Sequence, residues 1–346
     1  MSEQVPAQWS NFYLKDVSFV NLMMRRIYNV LIVANPYDAF MLEDDGRVEE
    51  KIYNEYMELG LRYPPTFTQV STIEEASKVL NTVDIDLVIC MPGNADNDAF
   101  DVARAVKAEF PDIHCVVLTP FSHGITKRIQ NEDLSIFDYV FCWLGNTNLI
   151  LSIIKLMEDK MNIDNDIHEV GVQMILLVED SIRFYSSILP NLYSYILTQS
   201  QNFATEALTR HEASLRQRGR PKVVLARTYE EAWEIYQRYK DNCLGVISDV
   251  RFPINNVEDK SSSATEGNIP VVEKDPEAGL KLLRAIRKED EYLPLIIESS
   301  ESENREKAEA EGFRFVDKNS KKMSVDLRHL LEEHMGFGDF IFRNPE

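Results

Sequence analysis

The sequence has no apolar run of the ~20 residues that a membrane-crossing helix requires, so no membrane span is expected. Between Met1 and Ser10 no basic segment precedes an apolar one, and no secretory signal is read there. Positive charge is scarce: 37 Lys and Arg stand against 57 Asp and Glu, a net charge of −20. Phosphate backbones and anionic lipid surfaces both need a basic face, so neither nucleic acid nor membrane is an expected partner. Cysteine is sparse as well. Cys90, Cys115, Cys142 and Cys243 fit no zinc or redox spacing, and three of them lie in apolar runs that read as strands. Buried, reduced thiols are expected, which points to a cytoplasmic protein. There is no glycine-rich phosphate loop, no histidine constellation and no glycosidase-like pair of carboxylates.

The chain does hold a repeat. Its 346 residues suit two domains of roughly 150 residues each. After a leader, residues 1–27, with an apolar patch at Phe19–Met24, strands are expected at Asn29–Val33, Phe67–Val70, Asp86–Cys90, His114–Leu118 and Phe137–Cys142. Helices are expected at about Ala39–Leu61, Ile73–Val83, Asp98–Phe110, just after His123, and at Asn148–Met161. Five strands alternating with five helices predict a parallel sheet covered on both faces, over 28–162. The polar segment 163–171 reads as a short linker, and the alternation then restarts over 172–336. Strands are expected at Met174–Val178, Lys222–Ala226, Gly245–Ile247, Pro294–Ile297 and Phe313–Val316.

Two features decorate the second copy. Its first helix, if continuous from Ser181 to Arg218, would span about 55 Å. Its apolar residues Phe184, Ile188, Leu192, Ile196, Phe203 and Leu208 exceed what one such domain covers. They predict packing on the first domain or, as a homodimer contact, on a second copy. The stretch 254–274 is polar and serine-rich and reads as a loop insertion.

An aspartyl-phosphate site needs a carboxylate at the carboxyl end of a central strand, further carboxylates for a divalent cation, normally Mg2+, and a hydroxyl and an ammonium to meet the phosphoryl oxygens. The second copy supplies each at a strand end. Glu179 and Asp180 follow its first strand, Asp249 its third, Ser299 its fourth and Lys318 its fifth. Each alone is a commonplace strand end or surface charge, and the joint pattern is what points to chemistry.

In this pattern, with Pro253 four residues past Asp249 and the run Gly279-Leu280-Lys281-Leu282-Leu283-Arg284-Ala285-Ile286-Arg287, the chain resembles the response-regulator receiver (CheY-like) family. The resemblance implies two flavodoxin-like α/β domains, each a five-stranded parallel sheet between helices. It makes Asp249 the phosphoacceptor, Glu179, Asp180 and Asp249 the Mg2+ ligands, Ser299 the switch hydroxyl and Phe315 the aromatic switch position. Arg251 and Glu301 take the places that tune phosphoryl lifetime. The implied partner is a histidine kinase or a phosphotransfer protein, in a bacterial two-component phosphorelay. Asn319 stands where the family usually has proline, and Phe315 lacks the hydroxyl of tyrosine.

The first copy keeps the pattern without the chemistry. Its strands end in Ala34-Asn35, Ile89-Cys90-Met91 and Phe141-Cys142-Trp143. Asp96 and Asp98 come too late to end the third strand, and only Thr119 keeps a matching position. It resembles a pseudo-receiver. The aromatic tail, 337–346, resembles the junction to a phosphoenolpyruvate-synthase-like module, so an output module beyond residue 346 is expected. Two other function classes stay open. One is a phosphorylation-independent interaction or dimerisation platform regulating such a C-terminal kinase module. The other is a phosphohydrolase with an aspartyl intermediate, disfavoured because Arg251 stands where a second aspartate is needed. The chain itself is not expected to be an enzyme.

Overall fold

A computed structural model of the protein describes residues 22–40, 42, 47–92, 99–120, 135–205, 207–209, 213, 216–254 and 274–335. Most of the leader, Asp96 and Asp98, the helix expected after His123, the interior of the 254–274 insertion and the aromatic tail lie outside these residues.

The first half contains β1 (Asn29–Val33), α1 (Pro36–Phe40), α2 (Val48–Glu58), β2 (Thr66–Val70), α3 (Ile73–Leu80), β3 (Leu87–Cys90), α4 (Ala99–Glu109), β4 (His114–Pro120), β5 (Tyr139–Trp143) and α5 (Asn148–Val170). Its strands are parallel, in the order β2-β1-β3-β4-β5. The second half contains β6 (Met174–Val178), α6 (Ile182–Thr205), β7 (Lys222–Ala226), α7 (Tyr229–Tyr239), β8 (Cys243–Asp249), α8 (Ala278–Glu289), β11 (Leu295–Ser299), α9 (Glu303–Ala310), β12 (Arg314–Asp317) and α10 (Met323–His334). Its main sheet repeats the same order, β7-β6-β8-β11-β12, again parallel. Two α/β flavodoxin-like sheets therefore follow one another in the chain. Between β8 and α8, the short strands β9 (Phe252–Pro253) and β10 (Lys274–Asp275) pair antiparallel and tie the ends of the insertion together.

The buried strands read as continuous apolar runs, as strands covered on both faces do; Met174–Val178 is buried at every position. The repeat also shows in helix starts. Thr72 and Thr228 each accept the amide N–H three residues on, from Glu75 and Glu231, at 3.2 Å. Each glutamate carboxylate in turn accepts the N–H of the residue before the threonine, Ser71 or Arg227. This is a variant of the capping box.

Three helical expectations are corrected. The single helix over 39–61 is two, α1 and α2, because Arg47 has φ 44°, a left-handed conformation that no α-helix runs through. The stretch 163–171 is no irregular linker. It forms the last turns of α5, which stops at Gly171 with φ 76°; glycine is the residue that accepts a left-handed helix end without penalty. The long helix ends at Thr205 rather than Arg218, and Leu208 beyond it is 95% exposed. Ile188, Leu192 and Ile196 are fully buried, whereas Phe184 and Phe203 are only partly so.

What covers that helix is the first half of the chain. Helix α6 packs on α5 and β5, and α5 packs on β7. Ser186 Oγ accepts the Cys142 N–H at 2.9 Å, and the Tyr185 hydroxyl donates to the Val140 carbonyl. One apolar cluster joins one face of each sheet, with Ile32, Ile89 and Phe141 from the first and Leu177, Ile247 and Val316 from the second. Helix α5 is buried at every residue from Leu149 to Asp159, including Ser152, Lys155, Glu158 and Asp159.

Two of its acids, Asp159 and Asp166, are satisfied across the junction. Asp159 accepts from Arg220 at 2.7 and 2.9 Å, from the Tyr193 hydroxyl at 2.8 Å and from the Val223 N–H at 3.0 Å. Asp166 pairs with Lys222 at 2.8 Å. Among the described residues, no helix is long and apolar enough to cross a membrane.

Candidate functional site

Strand alternation builds the site. On β6, β8, β11 and β12, Leu177, Ile247, Ile296 and Val316 face the shared core. Two residues further on, the same strand face presents Glu179, Asp249, Glu298 and Lys318, because side chains repeat every second residue. Four titratable groups thus converge at the carboxyl edge of the second sheet, where open α/β sheets carry their sites.

Lys318 is the hub. Its ammonium donates to Asp249 Oδ1 at 2.6 Å and to Glu179 Oε2, and it stands 4.5 Å from the centre of the Phe184 ring. Its side chain is 1% exposed and that of Asp249 15%, so the aspartate is the member that solvent reaches. The second Asp249 oxygen accepts the Arg251 N–H at 3.2 Å. Burial opposes the Lys318 charge, but Glu179, Asp249 and Glu298 together hold its pKa above the ordinary lysine value.

Glu179, Asp180 and Asp249 each offer an oxygen within 4.8 Å of the others, and among the described residues this is the only such group. Burial pushes Glu179 up to about 7, against Lys318 and with Asp249 adding to the rise. Burial also raises Asp180, against the ammonium of Lys274, which meets Asp180 Oδ2 at 2.5 Å. The other Asp180 oxygen, Oδ1, is buried without a hydrogen-bond partner. Three carboxylates in one cluster, one of them holding an unpaired buried oxygen, form an all-oxygen donor set that fits a hard divalent cation.

The remaining sequence candidates take other places. Ser299 Oγ accepts from Asn304 Nδ2 at 2.9 Å and from the Glu301 N–H at 3.1 Å. Glu301 pairs with Arg251 at 2.9 Å, both about half exposed, across the mouth of the cluster. Phe315 is partly buried against a separate apolar cluster of the second half that includes Leu176 and Ile297, and it carries the Arg305 guanidinium 4.6 Å from its ring centre. Helix α8 approaches so closely that a Cβ on Gly279 would overlap the Asp249 carbonyl oxygen.

Two residues escaped the sequence reading. Glu298 was visible as one acid ending the apolar run Leu295-Ile296-Ile297. It is completely buried, both its oxygens lack partners, and burial pushes it up to about 8. Lys274 had no local signal, since only the β9–β10 pairing brings the far end of the insertion to Asp180.

At the equivalent edge of the first half, Asn35 follows β1 in place of the acidic pair. Asn35 Oδ1 accepts the Tyr37 and Asp38 N–H groups and so caps α1. Met91, just past β3, is buried, and no carboxylate ends that strand.

No protein-family model matches the chain, and no curated protein matches it significantly. Solved structures with some likeness include the signal receiver domain of a Luxo repressor protein from Vibrio parahaemolyticus. It is 15% identical with TM-score 0.30, over 41% of this chain and 96% of that one. A two-component system response regulator/GGDEF domain protein is 13% identical with TM-score 0.34, over 88% and 98%. A glucose-galactose binding protein, GanP from Geobacillus stearothermophilus, is 11% identical with TM-score 0.23, over 90% and 92%. Likenesses at this level carry no argument about function, and the fold assignment rests on the two sheets themselves.

Proposed function

We propose that the second half is a phosphoacceptor signalling module, with Asp249 as acceptor, in a response-regulator-like protein. One observation carries this reading: the Asp249 carboxylate, partly open to solvent, is held by Lys318 inside a three-carboxylate cluster at the carboxyl end of the central strand. In the step proposed, an Asp249 oxygen bonds to the phosphorus of a donor. The donor's bond to phosphorus breaks, and the donor leaves with that electron pair and takes up a proton. Lys318 offsets negative charge on the transferring oxygens.

Glu179, Asp180 and Asp249 would hold Mg2+, which would supply further neutralisation of the phosphoryl group. The aspartyl phosphate would carry about two negative charges and would compete with Glu179 for the Lys318 ammonium. That exchange is the switch we assign, with Ser299 released from Asn304 to meet a phosphoryl oxygen. The donor would be a histidine kinase or phosphotransfer protein, and the readout an attached or partner output module. In this role the chain is not itself an enzyme, and it works in the cytoplasm.

The test uses the whole chain, because the two halves share a core. After incubation with acetyl phosphate and Mg2+, peptide mass spectrometry should find one added phosphoryl group, on the peptide carrying Asp249, and none in Asp249→Asn. Label within 28–162, or no label from any of several donors, would overturn the proposal.

The shared core motivates a second reading, a phosphorylation-independent platform that regulates a C-terminal phosphoenolpyruvate-synthase-like module. It expects Asp249→Asn to leave output unchanged.

A further inference from the structure

The seam between the two halves holds a feature at odds with an acidic protein. Beside the Arg220–Asp159 pair, a cavity of about 40 Å³ opens among Arg26 and Arg62 of the first half and Arg218 of the second, with Tyr56, Lys155 and Glu158 also lining it. A single water needs about 10–15 Å³ on the same measure, so the space suits a group of three or four oxygens.

Charge in this cavity is uncompensated. Lys155 is spent on Glu158, at 2.8 Å, and Arg220 on Asp159. Among the described residues Arg26, Arg62 and Arg218 have no carboxylate partner; Arg26 makes only a 3.4 Å contact from Nε to the Met23 carbonyl. Three guanidinium groups thus gather around a cavity whose one lining carboxylate, Glu158, is already paired with Lys155, in a chain whose net charge is −20.

Two donors there are also buried and unmatched. Arg218 Nε has no hydrogen-bond partner, and the hydroxyl proton of Tyr56, a residue 1% exposed, has no acceptor. Lys155 stands 4.7 Å from the Tyr56 ring centre and beside its hydroxyl, but as an ammonium it can only donate to that oxygen and leaves the hydroxyl proton without an acceptor. Burial, followed by the like charges of Arg26 and Arg62, holds the Arg218 pKa below its ordinary value, as crowding of cations requires.

We propose that this seam is a binding site for a small phosphorylated anion, seated between Arg26, Arg62 and Arg218 with the Tyr56 hydroxyl donating to it. Guanidinium groups match phosphoryl oxygens through paired N–H donors. A tetrahedral oxyanion satisfies both unmatched donors and cancels the like-charge repulsion. Arg62 and Arg218 come from different halves, so the ligand bridges them and acts as an effector that tightens the junction. This site is independent of the Asp249 cluster.

Titration calorimetry of the whole chain tests it, in magnesium-free buffer at constant ionic strength, with inorganic phosphate and with glycerol phosphate as probes. One site per chain is expected, with affinity weakened about tenfold in Arg218→Gln and in Arg62→Gln. Tighter binding of glycerol phosphate assigns the site to the phosphoryl end of a small molecule, and tighter binding of phosphate to the free ion. Arg62 is exposed, so Arg62→Gln keeps the test decisive if Arg218→Gln fails to fold. Failure of both probes to bind at millimolar concentration, or equal affinity in wild type and Arg62→Gln, would overturn the proposal.

Discussion

Glu298 lies directly opposite Asp249 in the register of β11 with β8, so a completely buried carboxyl group stands beside the carboxylate that Lys318 holds. Its pKa of about 8, against an ordinary 4.5, follows from burial first. The folded protein therefore keeps a proton on Glu298 that the unfolded chain releases above about pH 4.5. Stability is lost as pH rises from there to about 8. Glu298→Gln, which cannot ionise, should match wild type near pH 5 and exceed it at pH 8.5 by a few kcal/mol. Urea unfolding at the two pH values measures this, and a parallel pH dependence in both proteins would contradict it.

Lys274 competes with any cation for Asp180. Lys274→Ala should tighten divalent-ion binding at the acidic cluster about two- to fivefold, the scale of a partly exposed ion pair. Mg2+ titration followed by calorimetry would show it. Unchanged or weaker binding would mean that the ammonium does not guard the site.

At Gly279 there is no room for a methyl group, because the Asp249 carbonyl occupies the space. Gly279→Ala should cost about 3 kcal/mol through backbone displacement, seen as a lowered thermal midpoint. A midpoint within a degree of wild type would show that α8 is free to move away from β8.

Asp159 anchors the junction. Asp159→Ala leaves Arg220 and Lys222 as buried cations without this partner and should cost about 3–5 kcal/mol. Since the core is shared, both halves of the wild-type chain should unfold in one denaturant transition. Two separate transitions in wild type, or an unchanged midpoint in the variant, would count against a cooperative junction.

Local chemistry wrote much of this protein into its sequence. Apolar runs bounded by turn residues marked strands such as Met174–Val178, and the parity of strands carried Glu179, Asp249 and Lys318 to one edge. The loss of carboxylates after Val33 and Cys90 was equally plain, because a strand end is a local feature. What a hydrophobic pattern reports is that a face is covered, and never by what. The apolar residues of α6 announced a partner, but only tertiary packing chose α5 and β5 of the same chain. The run Leu149–Ile154 at the start of α5, apolar but for Ser152, was the matching signal at the junction.

Lys274 and Arg218 stood beyond sequence reasoning for a related reason. Charges act through space, at separations set by the fold, and leave no period along the chain. The ammonium on Asp180 arrives from the far side of an insertion, and the three arginines of the seam are separated by up to 192 positions in sequence, from Arg26 to Arg218. Side-chain alternation placed the acids at the sheet edge, while the tertiary structure decided which charges they meet and which arginines are left to meet one another.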